Sequence, residues 1–206
     1  MIYGIEKLRG AYRAGKTFRF LFFWGHTPPS DGSVDKSCFS QWWMSPFVVE
    51  GTEYSCAEQY MMAEKARLFG DNEMLAAIMQ AKHPKEMKAF GRAVSSFDQD
   101  LWESQCYEIV KRASLAKFSQ NPQLGDYLKS TKNRILVEAS PQDRVWGIGL
   151  SQADPGVENP MKWRGRNLLG FVLSQVRDEL LLKEGEGNES KGNCTGDLAN
   201  SAARVL

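Results

Sequence analysis

The sequence predicts a mainly helical α+β domain with a few short strands, and three observations support this prediction. Helix signals dominate from residue 55 onward, while strand-like runs of aromatic and branched residues are short and few. The length of 206 residues suits one domain with an appended tail. Hydrophobic residues make up 42% of the chain and charged residues 25%, which is typical of a globular protein.

In the first half of the chain, one strand precedes a series of helices. Residues 17–24 are rich in aromatic and branched residues and Gly25 follows them, so this run predicts a strand. The apolar stretch 38–49 contains Pro46 and predicts irregular or edge-like structure. Helix start and stop residues then predict three helices, which are 55–69, a second from Asp71 to about residue 82, and a third that begins at Pro84.

The second half continues with helices around one apolar strand. Asp98 opens a long helix, because apolar residues recur at helical spacing from Trp102 to Phe118. The other elements are a short helix after Pro122, a strand over 135–138 and a last helix capped by Asn167. Residues 140–166 form a long polar loop, and loops of this length without their own structure are uncommon unless they line a site.

Charge and hydropathy exclude several classes of protein. The formal net charge of +1 gives no electrostatic reason to expect nucleic acid or an anionic membrane as the main partner. The apolar run 18–24 contains Arg19 and is too short to span a bilayer, and no secretion signal precedes it. We therefore predict a cytoplasmic protein with no membrane partner. Beyond Lys183 the sequence turns to Gly, Asn, Glu and Ser, so we predict a domain over 1–183 and a flexible tail over 184–206.

Metal and cofactor chemistry finds no support in the sequence. The four cysteines and two histidines show no spacing typical of metal ligands. The run Gly147-Ile148-Gly149 lacks the third glycine and the strand–turn–helix setting of a dinucleotide fingerprint. We therefore expect neither a metal nor a cofactor.

Glu58 supports two different interpretations. It lies at the start of a predicted helix, where Ser55-x-x-Glu58 matches a capping box that would close two backbone amides. Alternatively, Glu58 points into a cleft and is a catalytic carboxylate. The local pattern alone favours the capping role.

Other polar and aromatic residues could join Glu58 in a site. Helical spacing places Lys65 on the same face as Glu58. In the polar loop, Asp143 is followed by Trp146 and Gly147, which hold an aromatic ring beside backbone that can approach a ligand closely. Arg92 lies near a chain turn and is a candidate phosphate contact, although for this residue alone the sequence favours a surface role.

Several short motifs occur in order along the chain and carry a resemblance to a known family. They are Phe39-Ser40, Gly51, Ser55-x-x-Glu58-x-Tyr60-x-x-x-x-Lys65, Gly91-Arg92, Trp102, Ala116-Lys117-Phe118, Val137-Glu138, Asp143-x-x-Trp146-Gly147 and Arg166-Asn167-x-Leu169-Gly170. Over roughly residues 18–182 this order resembles the YbiA-like family, also called the NADAR domain family. The resemblance implies a compact, mainly helical α+β domain with N-glycosidase activity. Around Glu58, Cys56, Ala57 and Gln59 depart from the usual bacterial pattern.

The family's known substrates are phosphorylated ribosylaminopyrimidine intermediates of early riboflavin synthesis and ADP-ribose attached to guanine. A small phosphorylated riboside or an ADP-ribose conjugate is therefore the expected partner, and nucleic acid would enter only as an ADP-ribosylated substrate. By position, Glu58 matches the family's essential acid, as general base, nucleophile or stabiliser of the oxocarbenium ion. The other residues with implied roles are Asp143 as second acid or ribose ligand, Trp102 and Trp146 as stacking residues, Lys65 and Arg92 as phosphate ligands, and Gly147 and Asn167 as further binding positions.

Two alternatives remain open from the sequence. The chain could be a module that binds NAD or ADP-ribose without turnover. It could also be a structural or interaction protein in which Glu58 only caps a helix.

Overall fold

The computed structural model describes residues 2–192, in which seven helices and four short strands form one compact domain. The helices are α1 Ile5–Arg13, α2 Ala57–Leu68, α3 Asn72–Gln80, α4 Pro84–Ala93, α5 Gln99–Gln120, α6 Pro122–Ser130 and α7 Leu168–Gly192. The strands are β1 Phe20–Phe23, β2 Phe47–Val49, β3 Thr52–Tyr54 and β4 Ile135–Glu138, with 3-10 turns at Lys36–Phe39 and Pro160–Lys162. The predicted mainly helical α+β class is confirmed.

Most of the helix starts predicted from capping residues and prolines agree with the structure. The Asp71 carboxylate accepts from the Met74 amide and the Asp98 carboxylate accepts from the Leu101 amide, so both residues cap the helices predicted to follow them. Pro84 and Pro122 are each the first residue of a helix. In contrast, Asn167 directs its side chain to a strand and not to the first turn of α7.

Two short sheets organise the chain. β1 and β4 pair in parallel, with Phe20 opposite Ile135 and Phe23 opposite Glu138. β2 and β3 form an antiparallel hairpin whose turn residues, Glu50 and Gly51, both have positive φ angles of 50° and 77°. The sequence prediction gave an edge-like segment for β2 but no strand for β3.

The β1–β4 pair separates two hydrophobic clusters. On β4, Leu136 belongs to a cluster with α2, α5 and α7, whereas Ile135 and Val137 belong to a second cluster with α1. Because side chains alternate along a strand, Glu138 emerges on the same side as Leu136, toward α2. The register of this short strand therefore decides which residues meet Glu58.

The N-terminal helix α1 was not predicted and closes the second cluster. Leu8 is fully buried in that cluster. The guanidinium of Arg9 donates to the carbonyl oxygens of Pro160 (3.2 Å) and Trp163 (2.8 Å), so α1 also holds the end of the polar loop.

At the other end, α7 continues to Gly192, past the point where the flexible tail was predicted to begin. Residues 193–206 of that predicted tail lie outside the described residues. No helix of the described part of the chain is both long and apolar enough to cross a membrane.

Candidate functional site

A cleft of about 930 Å³ opens where the C-terminal ends of β1 and β4 meet the start of α2 and one face of α4. The loop after β4, the segment before β2 and the first turns of α5 contribute to its other walls. Its lining is both charged and aromatic, and includes Trp24, Trp42, Glu58, Lys88, Arg92, Trp102, Glu138, Asp143 and Trp146. The fold thus brings together residues from seven separate stretches of the sequence.

Glu58 lies at the base of this cleft and does not form the predicted capping box. Helix α2 begins after Cys56, and the amide and hydroxyl of Ser55 donate to Gln59 Oε1 at 2.8 and 3.0 Å. The amide of Glu58 donates to the carbonyl oxygen of Gln41 at 3.0 Å. The capping interpretation is therefore wrong, because Gln59 takes the role that the motif assigned to Glu58.

The carboxyl of Glu58 is only 4% exposed, and its environment controls its ionisation. Burial raises the pKa of Glu58 from 4.5 to about 7, opposed by the Lys88 ammonium and by a hydrogen bond from Trp42. The charge of Asp143 adds to the increase and that of Arg92 reduces it. At neutral pH, both protonation states of Glu58 are therefore populated.

Glu138 is a second buried carboxyl in the cleft, and the sequence-based site did not include it. Its amide donates to Asn167 Oδ1 at 2.9 Å, which fixes the end of β4. Its Oε2 is buried and has no hydrogen-bond partner among the described residues. Burial raises the pKa of Glu138 to about 8, and the charges of Asp143 and Glu58 act in the same direction.

Asp143 lines the cleft and also organises the loop that carries it. Its Oδ1 accepts from the amides of Val145 (2.8 Å), Trp146 (2.7 Å) and Gly147 (3.4 Å). These three hydrogen bonds fix the Asp143 side chain and the loop relative to each other. This interaction also places the Trp146 ring in the cleft wall.

Three of the predicted site residues lie outside the cleft lining, namely Lys65, Gly147 and Asn167. Lys65 Nζ donates to the carbonyl oxygen of Gly91 at 2.8 Å and lies 4.2 Å from the Phe97 ring centroid. Asn167 is fully buried and bridges β4, accepting from the Glu138 amide and donating to the Leu136 carbonyl at 2.9 Å. Lys65 and Asn167 therefore contact the backbone of α4 and β4, the elements that carry lining residues.

Gly147 is also behind the lining, in a position that only glycine can occupy. A Cβ at this residue would lie 2.9 Å from the Glu138 carbonyl oxygen and 3.0 Å from that of Asp143. Gly147 thus lets the loop after β4 fold back onto the strand end, which brings Asp143 and Glu138 to one cleft.

Four residues line the cleft but were not among the predicted site residues, namely Gln41, Trp42, Lys88 and Glu138. Lys88 lies one helical turn before Arg92 on α4, so the pair could have been recognised as one basic face. Its Nζ lies 5.6 Å from the Trp42 ring centroid. Gln41 lies nearby with a buried Oε1 that has no hydrogen-bond partner among the described residues. No local signal in the sequence identified Gln41 or Trp42.

The described residues contain no group of three or more histidine, cysteine or acidic side chains arranged to hold a metal ion. The cleft instead offers carboxyls, one ammonium and aromatic rings. Such a set can transfer protons, stabilise positive charge and stack on a planar base.

Comparison with known proteins identifies the family to which the whole chain is similar. A sequence model of the NADAR domain matches residues 22–181. The N-glycosidase R617 of Acanthamoeba polyphaga mimivirus is 42% identical over 80% of this chain and 98% of its own length. The N-glycosidase YbiA of Escherichia coli is 29% identical over 75% of this chain and 86% of its own length.

A solved structure agrees with the sequence comparison. The NMR structure of Escherichia coli YbiA superposes with a TM-score of 0.66 at 26% identity, covering 83% of this chain and 90% of that protein. The fold and the family expected from the ordered motifs are both confirmed. The chain belongs to the NADAR domain family.

Proposed function

We propose that this chain hydrolyses the N-ribosidic bond of a phosphorylated ribosylamino compound or of ADP-ribose linked to a guanine base. The enzyme class, a hydrolase of N-glycosyl bonds, follows from the family and from relatives named N-glycosidase. The observation that carries the proposal is the buried carboxyl of Glu58 inside a cleft lined by aromatic and cationic residues. We also propose a cytoplasmic location, as the sequence predicts.

Glu58 is the proposed catalytic base. Breaking an N-ribosidic bond builds positive charge on the ribose, and an ionised carboxylate held nearby stabilises the transition state more than the ground state. A pKa of about 7 lets the same group take a proton from the attacking water at neutral pH. The hydrogen bond from Trp42 favours the ionised form of this carboxyl, which the base role requires.

The walls of the cleft suit the other parts of such a substrate. Trp146 and Trp102 offer ring faces for a planar base, and Arg92 offers a guanidinium for a phosphate. One oxygen of Asp143 is committed to three backbone amides, and we expect the other to accept from ribose hydroxyls. Lys65 donates to the backbone at Gly91, so its position favours support of the aromatic wall over the phosphate contact implied by the resemblance.

Substituting Glu58 tests the proposal directly. The wild-type protein is incubated with a phosphorylated ribosylaminopyrimidine and with ADP-ribosylated guanosine, and free base is measured by chromatography. We expect base release by the wild type and a loss of at least about a hundredfold in Glu58→Gln, because the amide cannot accept the proton from water.

A matched control keeps folding separate from catalysis. Glu53→Gln changes an exposed carboxylate on β3 and should keep the wild-type rate. Circular dichroism should show that both variants fold. Tight binding of the probes with no release of base by the wild type would instead support the alternative, a module that binds ADP-ribose without turnover.

A further inference from the structure

Glu138 has a geometry that the proposed role of Glu58 does not explain. Its backbone amide is fixed by Asn167, and strand alternation points its side chain toward α2, where Glu58 lies. Its Oε2 is buried without a hydrogen-bond partner in the described part of the chain, yet the residue lines the cleft. A buried polar atom of this kind is costly unless it serves a ligand or a reaction.

We infer that Glu138 is the catalytic acid, whose carboxyl proton passes to the leaving nitrogen as the N-ribosidic bond breaks. This inference rests on the proposed function. The bonding electron pair goes to the nitrogen, which accepts the proton of Glu138. Water adds to the ribose carbon and gives a proton to Glu58. The proton on Glu58 then returns to Glu138, so the products are the ribose and the free base.

The environment of each carboxyl matches this division of roles. Burial and the neighbouring charges of Asp143 and Glu58 raise the pKa of Glu138 to about 8, against the attraction of Lys88. Glu138 therefore holds its proton at a pH where Glu58, with a pKa of about 7, is partly ionised. Pairs of groups whose environments separate their pKa values in this way divide acid and base roles.

Asp143, the residue expected to be the second acid, is less suited to that role. Its Oδ1 accepts three backbone amide hydrogen bonds, so this oxygen is committed to the loop and not free to serve a leaving group. Its negative charge instead helps to keep Glu138 protonated.

The pH dependence of Glu138→Gln separates a proton donor from a structural residue. The probe is the phosphorylated ribosylaminopyrimidine or the ADP-ribosylated guanosine, whichever the wild type hydrolyses. We expect the wild-type kcat/KM to rise as Glu58 ionises and to fall above about pH 8 as Glu138 loses its proton. Glu138→Gln should lose about a hundredfold or more in rate and should lack the alkaline fall, while the rise on the acidic side remains.

A second measurement does not depend on activity. With glutamate labelled by ¹³C at Cδ, the free wild-type protein should show a carboxyl resonance that titrates near pH 8 and is missing in Glu138→Gln. In Glu58→Gln the same resonance should titrate at lower pH, because the charge of Glu58 no longer raises the pKa of Glu138.

The outcomes distinguish this inference from the function on which it rests. Two results would show that Glu138 is not the acid while leaving the N-glycosidase proposal intact. One is that the rate of Glu138→Gln still falls at alkaline pH; the other is that the Glu138 resonance of the wild type titrates near pH 4.5, like an ordinary glutamate. If the wild type releases no base from either probe, the proposed function fails and the role of Glu138 fails with it. Loss of the alkaline fall together with the missing resonance supports the inference.

Discussion

At the scale of the residue, the site depends on two carboxyls that the fold buries. Folding raises the pKa of Glu58, so between about pH 4.5 and 7 the folded protein binds more protons than the unfolded chain. The contribution of Glu58 to the stability of the wild type therefore falls as pH rises through this range. Above about pH 7 the full cost of burying the ionised Glu58 carboxylate applies. At 1.36 kcal/mol per pKa unit, the rise from 4.5 to about 7 corresponds to about 3 kcal/mol of lost stability.

This linkage predicts that Glu58→Gln is more stable than the wild type in alkaline solution. The amide cannot ionise, so the difference in free energy of unfolding should grow with pH and level off above about pH 7. Urea unfolding at about pH 4, 7 and 9 measures it. The exposed variant Glu53→Gln should show no such trend, and parallel curves for Glu58→Gln and wild type would contradict the proposed burial cost.

Positions in the cleft were predictable from the sequence where the family resemblance also implied a role for the residue. Glu58, Asp143 and Trp146 belong to motifs that the family resemblance identified, and all three line the cleft. Glu138 and Lys88 were not assigned to the site, because their roles depend on a strand register and a helix face. A local sequence pattern does not show which residues from distant segments will lie next to each other in the folded protein.

At the scale of the element, the position of Glu58 depends on how closely α2 and α4 pack. Gly91 of α4 faces Met62 of α2, and a Cβ at Gly91 would lie 2.0 Å from the Met62 sulfur. Gly10 of α1 is also inside a helix, but a Cβ there would meet nothing within 4 Å. The two helical glycines therefore differ in whether a methyl group added at the position would meet a neighbouring helix.

We predict opposite effects of alanine at these two positions. Gly91→Ala should lower the free energy of unfolding by about 1–3 kcal/mol, because the added methyl forces α4 away from α2. Gly10→Ala should raise it by about 0.5–1 kcal/mol through helix propensity alone. Urea denaturation compares them, and equal effects would mean that the contact between α2 and α4 does not constrain Gly91.

Helices were easier to predict than strands in this protein. Asp71, Pro84, Asp98 and Pro122 are local start signals, and each begins or caps a helix in the structure. The strands contain three or four residues, too few to show a clear alternation, and their partners lie elsewhere in the chain. The hairpin strand β3 and the N-terminal helix α1 were missed for lack of such signals.

At the scale of the whole molecule, the small net charge conceals a concentration of charged side chains in the cleft. The chain carries a formal charge of +1, yet the cleft lining includes Lys88, Arg92, Arg144 and Arg166. Arg166 pairs with Glu103 at 3.7 Å, which compensates part of this charge. The lining also contains Glu58, Glu138 and Asp143, so its charges are mixed, and the attraction for phosphate is local to cations such as Arg92.

We predict that salt weakens the binding of phosphorylated substrates through this local charge. The KM of the wild type should rise with ionic strength, whereas Arg92→Met should raise KM by about tenfold at low salt and reduce the salt dependence. Arg13→Met removes an exposed charge at the end of α1 and serves as the control. An unchanged KM in Arg92→Met would exclude the phosphate contact.

The parallel pairing of β1 with β4 has a consequence for the order of folding. Phe20 pairs with Ile135, so this ladder closes only after most of the domain has left the ribosome. Glu58 belongs to the part of the chain made first, and Glu138 joins it only when β4 docks beside β1. A nascent chain that ends before β4 therefore carries one acidic residue without the other, and the candidate site is complete only when the last large section of the domain closes.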